Sequence, residues 1–432
     1  MRLLEAKKVE YSVSRDAISS LPDDMLAKIL SDLPTKLAVS TSVLSKRWRS
    51  LFPLMTRLFA SQHHFYLDDS DLLFPEVKIY FLHQWFRDFV GKTLSGCNSI
   101  KKLSLKCQDG HISFPLADKW IGIALDRGLV DLDLRLTTRE LKEAVYLPMF
   151  IVFINTTLVK LTLGIEIGAI GINPFKVSLP VLKSLFLHGV CFRCEQLCYM
   201  MLPGCPVLEE LSFEFYLCTY LKHSSYLNIS NKTLQRLTVH YNGSMPYSDF
   251  VTFDTPSLVY LDFSGHAPAK HFTKPDNILD SLVEAKLDVD VPEIQRQTGD
   301  HLPTIIWWVR NVKNLTLSST TVKEMYASDT ELPSFVNLVK LSIESDTKKG
   351  LHCIRDEGYC IGPSEVKVLE IYGFRGSVGE FSQSRWFLCQ MHLLRVMRVE
   401  IDADDDIKKL QLISDLLALP PKGSSKCKFQ FL

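Results

Sequence analysis

The stretch DAISSLPDDMLAKILSDLPTKLAVSTSVLSKRWRSLF, Asp16 to Phe52, reads as three short helices packed into one small unit. Pro22 fits the first turn of a helix, where its missing N–H costs nothing. Asp23 and Asp24 place negative charge near that helix's positive end. Met25, Leu26, Ile29, Leu30 and Leu33 then recur at helical spacing. Pro34 stops the helix, and Thr35 is placed to cap the next, whose apolar side is Leu37, Ala38 and Val39. Ser42 or Ser45 can cap a third turn or two carrying Trp48, Leu51 and Phe52. A unit this short cannot bury a sufficient core alone. Its spare apolar surface is expected to pack on a partner or on the rest of the chain.

Three words in this stretch carry a family resemblance: IS-x-LPD (Ile18 to Asp23), ILSDLPTK (Ile29 to Lys36) and TSVLSKRWR (Thr41 to Arg49). With them the stretch resembles the F-box, in the form that opens plant F-box proteins with leucine-rich repeats. Ala17 stands where arginine is more usual and Phe52 where tryptophan often stands, both at the margins of the unit. The resemblance implies docking to a Skp-type adaptor within a cullin–RING ubiquitin ligase. The implied contacts are Leu21, Pro22, Met25, Ile29, Leu30, Leu33, Pro34, Val39 and Trp48. Several of these must also support the three-helix unit, and sequence does not separate the two roles.

The chain has 432 residues, 46% of them hydrophobic and 23% charged, which makes it globular and large enough for more than one domain. Its 49 basic and 49 acidic residues cancel, so charge predicts neither a nucleic-acid surface nor a membrane anchor. Met1 to Asp16 is charged throughout and is not read as a secretory signal. The apolar run Ala144 to Ile154 is about half a membrane span and contains Pro148, so it is expected to be buried in protein. The 11 cysteines are then read as reduced, mostly buried thiols. The sequons at Asn155, Asn228, Asn231, Asn242 and Asn314 are expected to be unused. Nuclear or cytoplasmic residence follows from the missing signal and from the family.

One phrase returns along the middle of the chain. It appears as IKKLSLKC (Ile100 to Cys107), VDLDLRL (Val130 to Leu136), LVKLTLG (Leu158 to Gly164) and LKSLFLHGV (Leu182 to Val190). LEELSFEF (Leu208 to Phe215), LQRLTVHY (Leu234 to Tyr241), LVYLDFSG (Leu258 to Gly265) and LVEAKLDV (Leu282 to Val289) follow. VKNLTLS (Val312 to Ser318), LVKLSIE (Leu338 to Glu344) and VKVLEIYG (Val366 to Gly373) continue the series. The period, roughly 24–30 residues, is close to that of leucine-rich repeats. Each L-x-L places two side chains on one face of a short strand. CEQLCYMML, with Leu197 and Met201 four residues apart, looks helical. A strand and a returning helix per repeat predict a curved solenoid with parallel strands on its concave face. Between the F-box and the repeats, FYLDDSDLLF reads as strand-like and IYFLHQWFRDFVGKTL as an amphipathic helix. Together they are expected to cap the open edge of the repeat sheet.

The words VKVLEIYGFRGSVGE (Val366 to Glu380), LLRVMRVEI (Leu393 to Ile401) and LPPKGSSKCKFQF (Leu419 to Phe431) resemble the FBD module that accompanies this F-box subclass. Gly373 and Gly376 mark a turn between strand and helix. The module is expected to add repeat-like strands and to end in a short terminal strand, Lys426 to Phe431. The expected fold is therefore α/β: a three-helix F-box over 14–53, a linker and cap over 54–98, repeats over 99–361, and an FBD module over 362–432.

Short motifs offer little chemistry. Cys191, Cys194, Cys198 and Cys205 cluster, but no nearby His completes a zinc set, and buried thiols are the plainer reading. Gly91-Lys92-Thr93 lacks the upstream glycine of a P-loop. Gly373 to Gly379 does not match a dinucleotide fingerprint. Asp402, Asp404, Asp405 and Asp406 lack the turn glycine and distal Glu of a calcium loop. His63 and His64, adjacent on an extended chain, point opposite ways. No catalytic residue, cofactor or metal is expected.

These features predict a non-enzymatic substrate receptor of an SCF-type ubiquitin ligase. The F-box would hold the adaptor, and the repeats would hold a target protein that the sequence does not identify. Two alternatives remain open at this point. One is a repeat-based binding module that docks the adaptor without driving ubiquitination. The other is a receptor gated by a small molecule, for which Trp307, Trp308 and Arg310 are a candidate cluster.

Overall fold

Helices Asp23–Ser31 (α1), Thr35–Ser40 (α2) and Lys46–Leu58 (α3) are the three expected from the N-terminal stretch. In this computed structural model the described residues are 18–59, 64–69, 79–107, 114–136, 145–147, 150–165, 170–172, 176–189, 197–216, 226–242, 250–266, 279–291, 303–327, 333–345, 365–419 and 427–432. Asp16, Ala17, His63, Cys191, Cys194 and Lys426 lie outside them. Contacts divide the chain into two compact units, Met1–Lys106 with Lys119–Asp131, and Cys107–Asp118 with Leu132–Leu432.

Pro22 stands at the cap of α1, its carbonyl accepting the Leu26 N–H at 3.1 Å. Pro34 holds the same place ahead of α2. Thr35 is therefore the first residue of α2 and not its cap, and its hydroxyl is used elsewhere. It accepts the Tyr66 N–H at 3.0 Å and donates to the His64 carbonyl at 3.4 Å. Of the two serines offered for α3, Ser45 is the cap, accepting from the Trp48 N–H. α3 continues through Pro53 to Leu58, past the expected end of the unit. Leu26, Ala27, Leu30, Ala38, Leu51 and Met55 form the core, with Leu21, Leu33, Trp48, Phe52, Leu54 and Phe59 packed around it. Burying each large aliphatic side chain contributes about 1.5–3 kcal/mol, little against the ordering of some forty residues at about 1–2 kcal/mol each. Arg47 ties the chain entry down, with Nε 2.7 Å from Asp23 Oδ1 and guanidinium bonds to the carbonyls of Ser19 and Leu21.

In the same unit the strand His64–Asp68 pairs in parallel with Lys102–Cys107 and buries Phe65 and Leu67. The helix Ile79–Gly96 packs Phe86, Val90 and Leu94 inward, and Phe86 meets Trp120 edge-on at 6.3 Å. The segment expected as a cap thus contributes a strand of its own. The outward amide and carbonyl of that strand are closed by Thr35, which manages an edge that would otherwise be open to pairing. FYLDDSDLLF beyond Asp69 lies outside the described residues.

In the second unit each repeat phrase beyond Asp131 supplies a strand, and neighbouring strands run parallel in chain order. One ladder of register partners is Leu161, Leu185, Leu211, Leu237, Leu261 and Ala285. It continues through Leu315, Leu341, Leu369 and Met397 to Phe429. Two residues on, a second ladder runs from Leu163 to Phe431. Partners lie 24 residues apart at Leu161 and Leu185 and 30 apart at Ala285 and Leu315. The carbonyl just ahead of most ladder strands takes two N–H groups from the next repeat; Val159 accepts from Lys183 and Ser184, and Val339 from Lys367 and Val368. That repeated bond keeps the register through changes of loop length.

The returning limbs differ from expectation. Helices Phe150–Phe153, Pro303–Trp308 and Ser319–Ala327 are present, and Leu197–Met201 is a single π turn. Among the described residues some limb segments are instead extended: Tyr226–Ser230 pairs with Phe250–Asp254, and Val145–Leu147 with Ile170–Ile172. The alternation in YLNIS and FVTFD explains it, since β-branched and aromatic residues at every second position bury one face of a strand, here Ile229 and Phe253. Toward the C-terminus the strands Val368–Phe374, Val396–Ile401 and Lys428–Phe431 alternate with helices Val378–Gln390 and Asp406–Leu417. Gly373 and Gly376 make the expected turn, both at positive φ. Ser377 and Glu380 form a capping box behind it.

Candidate functional site

The helical unit sorts its candidate residues by exposure. In α1, Leu26 and Leu30 share the inner side and are wholly buried, while Met25 and Ile29, one position earlier in each turn, are 55% and 47% exposed. Pro22 and Pro34 are exposed, and Val39 is half-buried. Leu21, Leu33 and Trp48 lean on the core while keeping part of their surface in solvent. Leu30, of the same candidate set, is wholly buried and belongs to the core of the unit.

Five apolar residues outside that set lie exposed on the same unit: Ile18, Leu37, Val43, Leu44 and Leu58. Leu37 had been assigned to the apolar side of α2, but the side that packs inward carries Thr35 and Ala38. Val43, 80% exposed, closes the 3-10 turn Thr41–Val43 that lies ahead of α3. Apolar spacing could not have flagged Val43 and Leu44, since neither belongs to a periodic run. With Met25 and Ile29 these five make up the exposed aliphatic surface of this small unit.

In the second unit the residue between the two ladder positions of each strand points to the other face of the sheet, and that face is largely polar, with Phe186 an exception. Glu370 is almost fully buried there. It accepts from Lys340 Nζ at 2.8 Å, Arg398 Nη1 at 2.8 Å, the Tyr372 hydroxyl at 2.6 Å and Ser342 Oγ at 3.2 Å. Burial alone would raise its pKa, but the donors outweigh it and hold the carboxyl down at about 2. The same contact raises the Tyr372 hydroxyl to about 12. Further along the face, His240 lies 3.5 Å from Asp262, which raises its pKa, whereas burial lowers that of His188. Arg236 stacks on Tyr260 at 4.0 Å. These groups are paired to one another and present no activated nucleophile.

The other candidates have structural places. Trp308 is buried edge-on to Phe253 at 4.8 Å, while Trp307 lies 5.5 Å from the Arg310 guanidinium, so the pair points two ways and does not line one pocket. Cys198 Sγ accepts from the Asn228 N–H, and burial pushes the Cys205 thiol up to about 12. Gly91, Lys92 and Thr93 lie within the helix Ile79–Gly96, where no phosphate loop forms. Asp402 pairs with Arg375, and Asp405 caps the helix Asp406–Leu417. Asn231 is buried, its amide donating to the Cys205 carbonyl and its oxygen accepting from Thr233. Among the described residues no group of three or more His, Cys, Asp or Glu is placed to hold a metal ion. Among them, too, no helix is long and apolar enough to cross a membrane.

Comparison with known proteins gives two family matches. The F-box domain model matches residues 18–57, and the model described as "FBD-associated F-box protein At5g56370, LRR repeats" matches residues 117–343. The chain is similar to the Arabidopsis thaliana protein named "Putative F-box/LRR-repeat protein At5g25860", at 49% identity over 455 residues covering 99% of this chain and 100% of the relative. It is also similar to the F-box/LRR-repeat protein At3g60040 of the same plant, at 36% identity covering 99% of this chain and 100% of the relative.

Proposed function

This chain belongs to the F-box/LRR-repeat protein family, and on that premise we propose that it is the substrate receptor of an SCF-type ubiquitin ligase. One observation carries the proposal: the helical unit keeps Met25, Ile29, Leu37, Val43 and Leu44 on its surface while a separate set of side chains fills its core. A Skp-type adaptor would cover that surface, with Pro22, Pro34 and the rims of Leu21, Leu33, Val39 and Trp48 joining the contact. Through the adaptor the chain would enter a cullin–RING assembly in the nucleus or cytoplasm. The repeat unit would hold the client. Its part in the reaction is positional, raising the concentration of a client lysine near a ubiquitin-charged enzyme, with no nucleophile of its own.

Co-purification with a Skp-type adaptor tests the proposal. The native chain should retain the adaptor, and a Met25→Asp, Ile29→Asp double variant should lose it with its unfolding midpoint unchanged, because both side chains already face water. A native chain that retains no adaptor would sink the receptor reading and leave a free-standing binding module.

A further inference from the structure

The strand Lys428–Phe431 is the last of the ladder, and no strand among the described residues pairs with its other side. Lys428 donates inward to the Arg395 carbonyl at 2.9 Å, and Leu432 to the Val399 carbonyl at 3.0 Å. Alternation along a strand then turns the N–H and C=O groups of Phe429 and Phe431 outward. Such an edge is a template for another strand.

The side chains agree with the backbone. Leu369, Ile371, Met397 and Val399, the ladder members just inside, are buried. Phe429 and Phe431, with nearly parallel rings 6.2 Å apart, are only half-buried. A further strand with apolar residues at alternate positions would cover both rings. On the opposite face Lys428 is exposed, with no partner for its ammonium among the described residues. The neighbouring Gln430 is engaged by Arg398 at 2.9 Å.

We propose that this edge takes up an extended segment of a partner protein as an added strand, with an acidic residue opposite Lys428 and apolar residues opposite Phe429 and Phe431. Backbone bonds would supply affinity, and the alternate side chains specificity. A second copy of this chain fits poorly, because a four-residue edge covers far less than the roughly 1,200–2,000 Å² of a stable complex. A segment already tethered by other contacts needs only local affinity. The surface is independent of adaptor docking and lies in the other compact unit.

The probe is a fluorescein-labelled peptide, Val-Thr-Val-Glu-Val-Thr-Val, titrated with the full chain and read by anisotropy. Saturable binding is expected, at least tenfold weaker to Lys428→Glu and restored to that variant by the peptide carrying Lys in place of Glu. Phe429→Pro, which removes an outward N–H and leaves the inward ladder intact, should abolish binding. Sedimentation of the native chain runs alongside. Absence of saturable binding, equal affinity for the two peptides, or indifference to Lys428→Glu would overturn the proposal. So would a concentration-dependent dimer abolished by Phe429→Pro, which would make a second copy the occupant.

Discussion

Thr35 and Tyr66 share a hydrogen bond of 3.0 Å, from the strand amide to the helix hydroxyl, and through it the three-helix unit is bonded to the first strand that follows it. Thr35 is fully buried, so its replacement by the near-isosteric valine removes both of its hydrogen bonds to the strand. Thr35→Val should cost about 1–3 kcal/mol in urea unfolding. Faster hydrogen exchange at the Tyr66 amide is the local check. Unchanged exchange there would mean the bond contributes nothing to holding the edge.

The Glu370 carboxyl ionises at a lower pH folded than unfolded, about 2 against 4.5, so its ionised form favours the fold. That contribution is complete above pH 4.5 and is lost as pH falls through the folded value near 2. Glu370→Gln removes it at neutral pH and leaves Lys340 and Arg398 facing an amide, at a cost of about 1–3 kcal/mol. Stability curves of the native chain and the variant should therefore converge through that acid window. Curves that stay parallel down to pH 2 would place the acid sensitivity elsewhere.

Leu30 and Ile29 are sequence neighbours, one wholly buried and the other exposed. Leu30→Ala opens a hole in a core of six buried residues and should cost about 2–5 kcal/mol. Ile29→Asp should leave thermal stability nearly unchanged and weaken adaptor retention. Equal loss of stability in both would show that α1 is not split into a core side and a docking side.

The two tryptophans behave likewise. Trp308→Ala empties a site packed against Phe253 and should cost about 3–5 kcal/mol. Trp307→Ala removes a half-exposed ring and one cation–π contact, worth about 0.5–1 kcal/mol. Comparable losses measured by chemical denaturation would argue that Trp307 too belongs to the core.

Local chemistry alone determined the strands and the first helices. L-x-L phrases at a regular spacing bury two side chains on one face whatever lies between them, so Leu161 to Leu369 could be assigned before any coordinate was known. Pro22, Pro34 and Ser45 punctuate α1 to α3 for reasons internal to each turn. Tertiary structure decided what depends on a distant neighbour. Thr35 has the chemistry of a cap but spends its hydroxyl on a strand some thirty residues away. The limbs at Tyr226–Ser230 and Phe250–Asp254 are extended because they pair with each other. Val43 and Leu44, at the end of a short turn, stay exposed while Leu51 and Met55 of the helix that follows fill the core. Glu370 is held ionised by Lys340 and Arg398, cations supplied by the two strands that flank its own. Periodicity encodes which face a residue takes within its own element, and only the packed chain determines which partner meets that face.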